Sequence, residues 1–353
     1  MNDMERLNLD VPPNPEEEGF SEQIAKWLAA HSKLAYSGFS DISEALKRHG
    51  YESVYFFRQG GANCYLTQST LDGGRAVWVL SFRGTESDYN DILVDVTFFK
   101  RTADYAKAYR CHGGFLSSLQ GFWGSWGAPD SIYKEGFEAE LFGPKGISEA
   151  IQEKVGKNDL LYVTGHSLGG ALASLAAYYI DRDLKPSVQG LYTFGSPRVF
   201  DHDMSTGFGE SSPYPAFRFV NSADIVTRVP PAVFGFRHSG DMCYLSRTGE
   251  LKAKASPVEK LRDFGWLRAL YFFAVFALAL LVSSGLGAAI PQGHALDWLS
   301  SGWAASVISV LVAVFALLAF SKVVPYLPKT VARWAALREF TDHSIDEYLR
   351  KIP

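Results

Sequence analysis

Cysteine is scarce in this sequence, with only Cys64, Cys111 and Cys243 among 353 residues. An odd number of cysteines without CxxC spacing predicts neither a disulfide framework nor a zinc site, so a reducing compartment fits best. The histidines are scattered, and neither HxxxH nor the clustered carboxylate spacing of a metal site occurs. We therefore expect no metal ion and no cofactor.

Positive charge is not in excess either. The formal net charge is -4, and no long Lys/Arg run occurs outside the flanks of two apolar segments, so we predict no nucleic-acid partner. The first 20 residues lack the basic start and apolar run of a secretory signal. Their paired prolines and three consecutive glutamates are typical of a disordered, solvated tail. We expect targeting to come from elsewhere in the chain.

What the chain does have is a hydrophobic content of 47% and an alternation of helix-like and strand-like segments. Two helical patterns over residues 21–50 precede the strand-like runs SVYFF, CYLTQ and AVWVLSF. Further on, GISEAIQEKV and ALASLAAYYIDR read as helices, and LLYVTG, GLYTFGS and AFRFVNS as strands. This alternation predicts an α/β fold with a mostly parallel sheet that is covered on both faces.

Two long segments, 269–290 and 298–320, carry no formal charge. Each could span about 30 Å of hydrocarbon at roughly 1.5 Å rise per residue. Lys and Arg flank the pair but are absent from the connecting PQGHALD, so the positive-inside rule places both ends in the cytoplasm. The pattern predicts a transmembrane helical hairpin. A hairpin of core helices in a soluble domain, or one that dips into a single leaflet, remains an alternative.

The segment Gly165-His166-Ser167-Leu168-Gly169 follows a predicted buried strand and precedes an Ala-rich predicted helix. In this context G-x-S-x-G indicates a sharp turn that exposes a nucleophilic serine, because neighbouring backbone leaves room only for small residues two positions away. The helix N-terminus also favours developing negative charge. We predict that Ser167 is the nucleophile and that His166 is a packed scaffold residue.

Four motifs in order resemble the class 3, fungal-type triacylglycerol lipases of the α/β-hydrolase superfamily. AVWVLSFRGTES resembles the family's oxyanion strand and loop, CHGGF its His-x-Gly-Phe segment, VTGHSLGGALA its nucleophile elbow, and FRFVNSADIVTRVPP its acid loop. The resemblance covers roughly residues 34–244 and the tail from about residue 341. It implies an α/β-hydrolase fold and a Ser, Asp, His order along the chain.

The resemblance assigns the oxyanion hole to the amides of Leu168 and Thr85, with the Thr85 hydroxyl as a further donor. It assigns the acid to Asp224, at the end of the strand AFRFVNS, where the acid would orient the catalytic histidine. Asp201 and Asp203 are rivals after the preceding strand, but their DHD setting lacks the family context.

The catalytic base is His238 or His343, because both follow the acid and chain order cannot decide between them. The HSIDEYL context of His343 resembles the family's catalytic segment, whereas His238 resembles a histidine that looks structural. Ser344 and Glu347 form an S-x-x-E capping box, which predicts that His343 lies just ahead of a helix. We favour His343.

The segment after FRGT resembles the mobile lid of class 3 lipases. Its apolar residues could form one face over the acyl pocket: Tyr89, Ile92, Leu93, Val96 and Phe98. An ordinary amphipathic surface helix packed on the core is the alternative.

The predicted organisation comprises a disordered tail (1–20), a catalytic domain (21–262), a transmembrane hairpin insertion (263–326) and a segment that completes the catalytic domain (327–353). Two spans return the chain to its starting side, so His343 and Ser167 would share one compartment. We therefore expect a multi-pass membrane protein with two spans, a catalytic domain on the cytoplasmic side, and bilayer contacts through residues 269–290 and 298–320.

The predicted activity is hydrolysis of lipid carboxylic esters, either acylglycerols or phospholipids, through an acyl-enzyme on Ser167. Two alternatives stay open at this point. The chain could be a lipid hydrolase delivered as a toxin to target membranes, or a catalytically silent membrane scaffold.

Overall fold

The computed structural model describes residues 7–17, 19–59, 62–84, 99–104, 106–124, 132–135, 140–142, 146–211, 213–253, 256 and 341–353. The chain divides into two compact units, one of Met1–Lys254 with Glu339–Pro353 and one of Ala255–Arg338. Nearly all of the second unit lies outside the described residues, so the features below belong to the first.

The secondary structure alternates along the chain as the sequence predicts. In the described residues the α-helices are α1 (Glu22–Leu34), α2 (Phe39–Arg48), α3 (Gly113–Gln120), α4 (Ile147–Lys154), α5 (Leu168–Asp183), α6 (His202–Ser211) and α7 (Ile345–Lys351). The strands are β1 (Ser53–Gln59), β2 (Ala62–Thr70), β3 (Ala76–Phe82), β4 (Lys100–Asp104), β5 (Tyr109–His112), β6 (Ile132–Glu135), β7 (Glu140–Phe142), β8 (Leu160–His166), β9 (Val188–Phe194), β10 (Ala216–Asn221), β11 (Asp241–Leu245) and β12 (Leu251–Lys252).

Within the described residues, the main sheet has the strand order β12-β11-β10-β9-β8-β3-β2-β1-β6-β7. Strands β3, β8, β9, β10 and β11 run parallel at its centre, and antiparallel strands flank them on both sides. Strands β4 and β5 form a separate antiparallel pair. The predicted α/β fold with a mostly parallel central sheet is confirmed.

Helices cover both faces of the central sheet. Along β3, the side chains of Val77 and Val79 pack with α1 and α7, while those of Trp78 and Leu80 pack with α3, α4 and α5. This alternation follows from the two-residue period of a strand, and it explains why β3 and β8 are apolar and buried along their whole length. The sheet is therefore buried between two helical layers, and its carboxyl edge carries the site described below.

The described part of the N-terminal tail packs on the core, although its composition predicts a disordered segment. Leu9 is fully buried, and its carbonyl accepts hydrogen bonds from the Trp27 indole at 3.2 Å and the Tyr51 hydroxyl at 2.8 Å. The Pro15 carbonyl accepts a third from the Tyr162 hydroxyl at 2.7 Å. A few anchored backbone carbonyls thus order a stretch whose average composition is polar.

In the part of the chain that the structure describes, no helix combines the length and the apolar character needed to cross a bilayer. The predicted transmembrane hairpin is not found, and its two segments, 269–290 and 298–320, lie outside the described residues. That interpretation rested on length and missing charge, which show that a segment could fill a bilayer but not that it does. The predicted domain boundaries, including the insertion at 263–326, stay a prediction.

Candidate active site

A sharp turn joins the end of β8 to the start of α5 through a single residue, Ser167. Its φ and ψ of 58° and -129° lie in a region that side-chain-bearing residues rarely occupy. The turn needs glycine on both sides: a Cβ on Gly165 would lie 2.3 Å from the Gly169 carbonyl oxygen, and one on Gly169 would lie 2.3 Å from that of Phe82. The G-x-S-x-G spacing is therefore a steric requirement of this backbone.

The Ser167 side chain lies at the N-terminus of α5, where Leu168 is the first helical residue. Ser167 is 1% exposed, and its hydroxyl does not cap the helix. Within the described residues the Oγ atom has no hydrogen-bond partner. A buried serine hydroxyl that is left uncommitted beside the positive end of a helix suits attack on a carbonyl.

Asp224 and His343 form a buried pair, although they lie far apart in the chain. The His343 Nδ1 atom lies 2.9 Å from Oδ2 and 3.0 Å from Oδ1 of Asp224, and both side chains are 0% exposed. Because a carboxylate only accepts hydrogen bonds, Nδ1 carries the proton in this contact. Neutral His343 then presents an unprotonated Nε2, the atom that a general base requires.

Two further donors stabilise the Asp224 carboxylate. The Val226 amide donates to Oδ1 at 2.9 Å, and the Tyr348 hydroxyl donates to Oδ2 at 2.6 Å. Burial, and then the negative charge of Asp224, raise the pKa of Tyr348 well above its usual value, which keeps the phenol protonated as a donor. Charge-assisted bonds of this kind compensate the carboxylate for its lost hydration.

A buried clasp ties the acid loop to the segment that carries His343. The Asn221 amide donates to the Tyr348 hydroxyl at 3.0 Å, and its side chain donates to the Asp342 carbonyl at 2.8 Å. The Ala223 amide donates to the Asp342 carboxylate at 3.2 Å, and the Lys351 ammonium donates to the Asn221 side chain at 2.6 Å. We call Asn221, Ala223, Asp342, Tyr348 and Lys351 the C-terminal clasp.

His166 links the serine turn to His343. Its Nε2 donates to the His343 carbonyl at 2.6 Å, its Nδ1 accepts from the Tyr36 hydroxyl at 2.8 Å, and the two imidazole centroids are 4.6 Å apart. Burial, and then the charge of His343, lower the pKa of His166 well below its usual value. With both nitrogens engaged, His166 contacts the His343 segment and is unavailable as a base.

The structure brings Ser167, Asp224 and His343 to one edge of the sheet, at the carboxyl ends of β8 and β10. A Cβ on Gly195 would lie 2.9 Å from both Asp224 and His343, so the chain after β9 passes directly against the pair. Thr85 and the five predicted lid residues lie outside the described residues. The residue before Thr85 is close to the serine, because a Cβ on Gly84 would lie 3.1 Å from that of Ser167.

The rival histidine and aspartate have other contacts. The His238 Nε2 donates to the Thr227 carbonyl at 2.8 Å. Burial, and then the charges of Arg218 and Arg198, lower the pKa of His238 well below its usual value. Asp201 accepts from the Met204 amide at 3.0 Å near the start of α6, as a helix-capping carboxylate does.

The clasp residues were missed by sequence reasoning. The HSIDEYL pattern gives a partial signal for Tyr348, because a tyrosine one turn into the helix that follows the base can face inward. Nothing local to Asn221 or Lys351 indicates that they meet, since 130 residues separate them.

Residues 79–234 match the lipase (class 3) family. The chain is 32% identical over 174 residues to the secreted mono- and diacylglycerol lipase 1 of Fusarium solani, covering 49% of this chain and 45% of that protein. It is 34% identical over 178 residues to a lipase of Rhizomucor miehei, covering 50% of this chain and 43% of that protein. Among solved structures, a fungal lipase aligns with a TM-score of 0.50 at 20% identity, over 67% of this chain and 87% of that chain, a likeness of fold.

The predicted localisation, a two-span membrane protein with a cytoplasmic catalytic domain, is wrong. The Fusarium solani relative is named a secreted lipase, and the described residues contain no helix that could cross a membrane. The prediction used hydropathy as a guide to location, whereas a long uncharged run only permits insertion.

The matched regions span less than half the length of both curated relatives, at 45% and 43%. The similarity is nevertheless consistent along residues 79–234, which match the class 3 lipases and contain the serine turn. Through this region the chain is similar to the class 3 lipases.

Proposed function

We propose that this protein hydrolyses carboxylic esters of acylglycerols through a Ser167-His343-Asp224 triad. The observation that carries the proposal is the buried Asp224 and His343 pair beside a serine turn whose hydroxyl is uncommitted within the described residues. The mono- and diacylglycerol lipase activity in the name of the Fusarium solani relative supports acylglycerols as the substrate class.

The proposed reaction begins when the Ser167 Oγ attacks the ester carbonyl carbon and its proton passes to the Nε2 of His343. Asp224 stabilises the imidazolium through its contact with Nδ1, which measures 2.9 Å. Collapse of the tetrahedral intermediate breaks the bond to the glycerol oxygen, which takes the proton from Nε2. Water then attacks the acyl-enzyme by the same steps in reverse order, which releases the fatty acid and restores Ser167.

The developing oxyanion needs donors that are fixed before the reaction. We assign this role to the Leu168 amide at the start of α5 and to Thr85, whose assignment rests on the family resemblance. The closeness of Gly84 to Ser167 supports a donor at the next residue. Removing one such donor typically lowers kcat by about 10²–10³-fold, so we expect that loss for Thr85→Val if the hydroxyl is the donor.

The segment from Tyr89 to Phe98 is proposed as a lid over the acyl pocket, again from the resemblance. If it is a lid, Leu93→Ser with Val96→Ser will alter the ratio of activity on aggregated esters to activity on monomeric esters. An unchanged ratio would favour an ordinary surface helix.

The function is tested by measuring release of fatty acid from mono-, di- and triacylglycerols and from a phospholipid, with wild type and Ser167→Ala. We expect acylglycerol hydrolysis by the wild type and a loss of at least about 10³-fold in the variant. Serine at position 174, which is also buried on α5, provides a matched Ser→Ala control that should remain active. Activity that survives Ser167→Ala, or hydrolysis confined to phospholipid, would overturn the proposal.

A further inference from the structure

Arg218 lies on β10 and lines a small cavity on the side of the sheet that faces α5. The other polar residues around this Arg218 cavity are Ser174, Thr193, Ser196, His238 and Ser239. Several apolar residues, including Leu191 and Phe200, close the remaining walls. The cavity is partly open and accommodates little more than one solvent-sized group, so only a small occupant fits it.

The Arg218 side chain has one buried donor without a partner. Arg218 as a whole is partly exposed, but its Nε atom is buried and forms no hydrogen bond within the described residues. Burial, and to a smaller extent the charge of Arg198, lower the pKa of Arg218 to about 10. Buried polar atoms in proteins are almost always hydrogen-bonded, because their lost hydration is otherwise uncompensated.

The surroundings of the cavity add positive charge. Arg198 donates to the carbonyls of Arg228 and Pro230, and its charge acts on both Arg218 and His238. Among the described residues that line the cavity, none is a carboxylate. Positive potential therefore accumulates in a space whose described walls provide no negative group.

Several polar groups around the cavity are already committed. Ser174 donates to the Gly170 carbonyl at 2.8 Å and Ser196 to the Pro197 carbonyl at 3.2 Å. The Nε2 proton of His238 is bonded to the Thr227 carbonyl. Arg218 is the charged donor toward an occupant of the cavity, so a single substitution can test the site.

We propose that the Arg218 cavity binds one small monovalent anion, either a halide or the carboxylate end of an organic acid. An anion accepts a hydrogen bond from the unpartnered Nε atom and offsets the repulsion between the charges of Arg218 and Arg198. A tetrahedral oxyanion such as phosphate is larger than the space. Because Arg218 precedes the acid loop by only a few residues on β10, the anion also stabilises the strand that carries that loop.

The two possible sources of the anion have different access. A wider groove shares Ala216, His238 and Ser239 with the cavity, and it is lined further along by Phe208 and Tyr214. A free halide needs only the cavity, whereas a fatty-acid carboxylate would lay its apolar chain in the groove. Asp241 on the same groove disfavours a second negative group there, which restricts the organic acid to one charge.

The site is tested by thermal unfolding of the full chain while chloride replaces a bulky sulfonate buffer anion at constant ionic strength. Chloride should raise the wild-type Tm by about 3 °C or more, because a ligand that binds only the folded state stabilises it. Arg218→Met should abolish the rise. It should still fold, since it removes a charge that lacks a partner in the described structure and retains the length of the side chain.

Exposed Arg58 provides the matched control, because Arg58→Met makes the same change in net charge elsewhere on the sheet. This variant should keep the full chloride response. Line broadening in ³⁵Cl NMR provides a second readout, and it should be present in wild type and Arg58→Met but lost in Arg218→Met. A Tm that does not respond to chloride, acetate or octanoate, or that responds equally in all three proteins, would overturn the proposal and leave water as the occupant.

Acetate and octanoate identify the source of the anion. If chloride and acetate raise the Tm equally, and octanoate raises it no further, the cavity binds free small anions. If octanoate raises the Tm at a concentration at least about tenfold lower than acetate requires, the cavity binds fatty acids. The groove then contributes apolar burial to the binding. Both outcomes require the response to disappear in Arg218→Met.

Discussion

At the scale of single residues, the site depends on the hydrogen bonds of one carboxylate. Asp224 receives the His343 imidazole, the Val226 amide and the Tyr348 hydroxyl, all between 2.6 and 3.0 Å. The Val226 amide and the Tyr348 hydroxyl draw negative charge away from the side that faces His343. The phenol therefore acts on the basicity of the histidine without contacting substrate, which makes Tyr348 a positioning residue.

Tyr348→Phe tests this effect. Without the phenol, more negative charge on Asp224 faces His343, which stabilises the imidazolium more strongly. We expect the acid limb of the kcat/KM profile to move to higher pH, and kcat to fall about tenfold or more because a charge-assisted bond is lost. The control is Tyr179→Phe, which removes an equally buried hydroxyl bonded to the Ala103 carbonyl at 3.0 Å. If both variants keep the wild-type pH profile, Tyr348 is only structural.

Gly195 provides a second test at this scale. Its φ is +62°, and an added Cβ would lie 2.9 Å from Asp224 and from His343. Gly50 has a comparable φ of +76° with nothing within 4 Å of an added Cβ. Both Gly→Ala variants should lose about 1 kcal/mol of stability through backbone strain, but only Gly195→Ala should lose activity, by at least about tenfold. Equal activities would show that the chain after β9 does not constrain the pair.

At the scale of elements, α1 carries a histidine that is buried in its neutral form. His31 lies between the hydroxyls of Tyr65 and Tyr51, at 2.8 and 2.7 Å, and burial lowers the pKa of His31 to about 3. The unfolded chain takes up a proton at this histidine near pH 6.5, whereas the folded protein does so only near pH 3. This contribution to stability is complete above pH 6.5 and is lost progressively as the pH falls toward 3.

We therefore expect the free energy of unfolding of the wild type to fall between pH 7 and pH 4, as measured in urea. His31→Gln keeps a donor and an acceptor but cannot titrate, so its stability should fall less over the same interval. His49→Gln, at a partly exposed histidine, should follow the wild type. Parallel curves for wild type and His31→Gln would contradict this account of α1.

The elements also show what the sequence could predict. Strands β3, β8, β9 and β10 were predictable because apolar runs bounded by polar loops define parallel buried strands. The turn at Ser167 was predictable because glycine spacing is a local steric requirement. The C-terminal clasp was not, since residues more than 100 positions apart form it and no local pattern encodes their contact.

At the scale of the whole molecule, the choice between His238 and His343 depended on which histidine lies near Asp224 in space. The order of residues along the chain does not give that distance. The described fold returns the chain to the main sheet through α7, and His343 immediately before it meets Asp224. Hydropathy was a poorer guide at this scale. It predicted a localisation that is wrong and a membrane hairpin whose segments lie outside the described residues, because an uncharged run does not specify its compartment.

The central claim is that Ser167 is activated by His343, and active-site labelling tests it most directly. The rate at which a fluorophosphonate labels the protein would be measured by intact mass, and the labelled residue identified by peptide mapping. The account predicts an adduct on Ser167 in wild type and His238→Ala, and a rate at least about 10³-fold lower in His343→Ala. Fast labelling of His343→Ala together with slow labelling of His238→Ala, or an adduct on another residue, would contradict it.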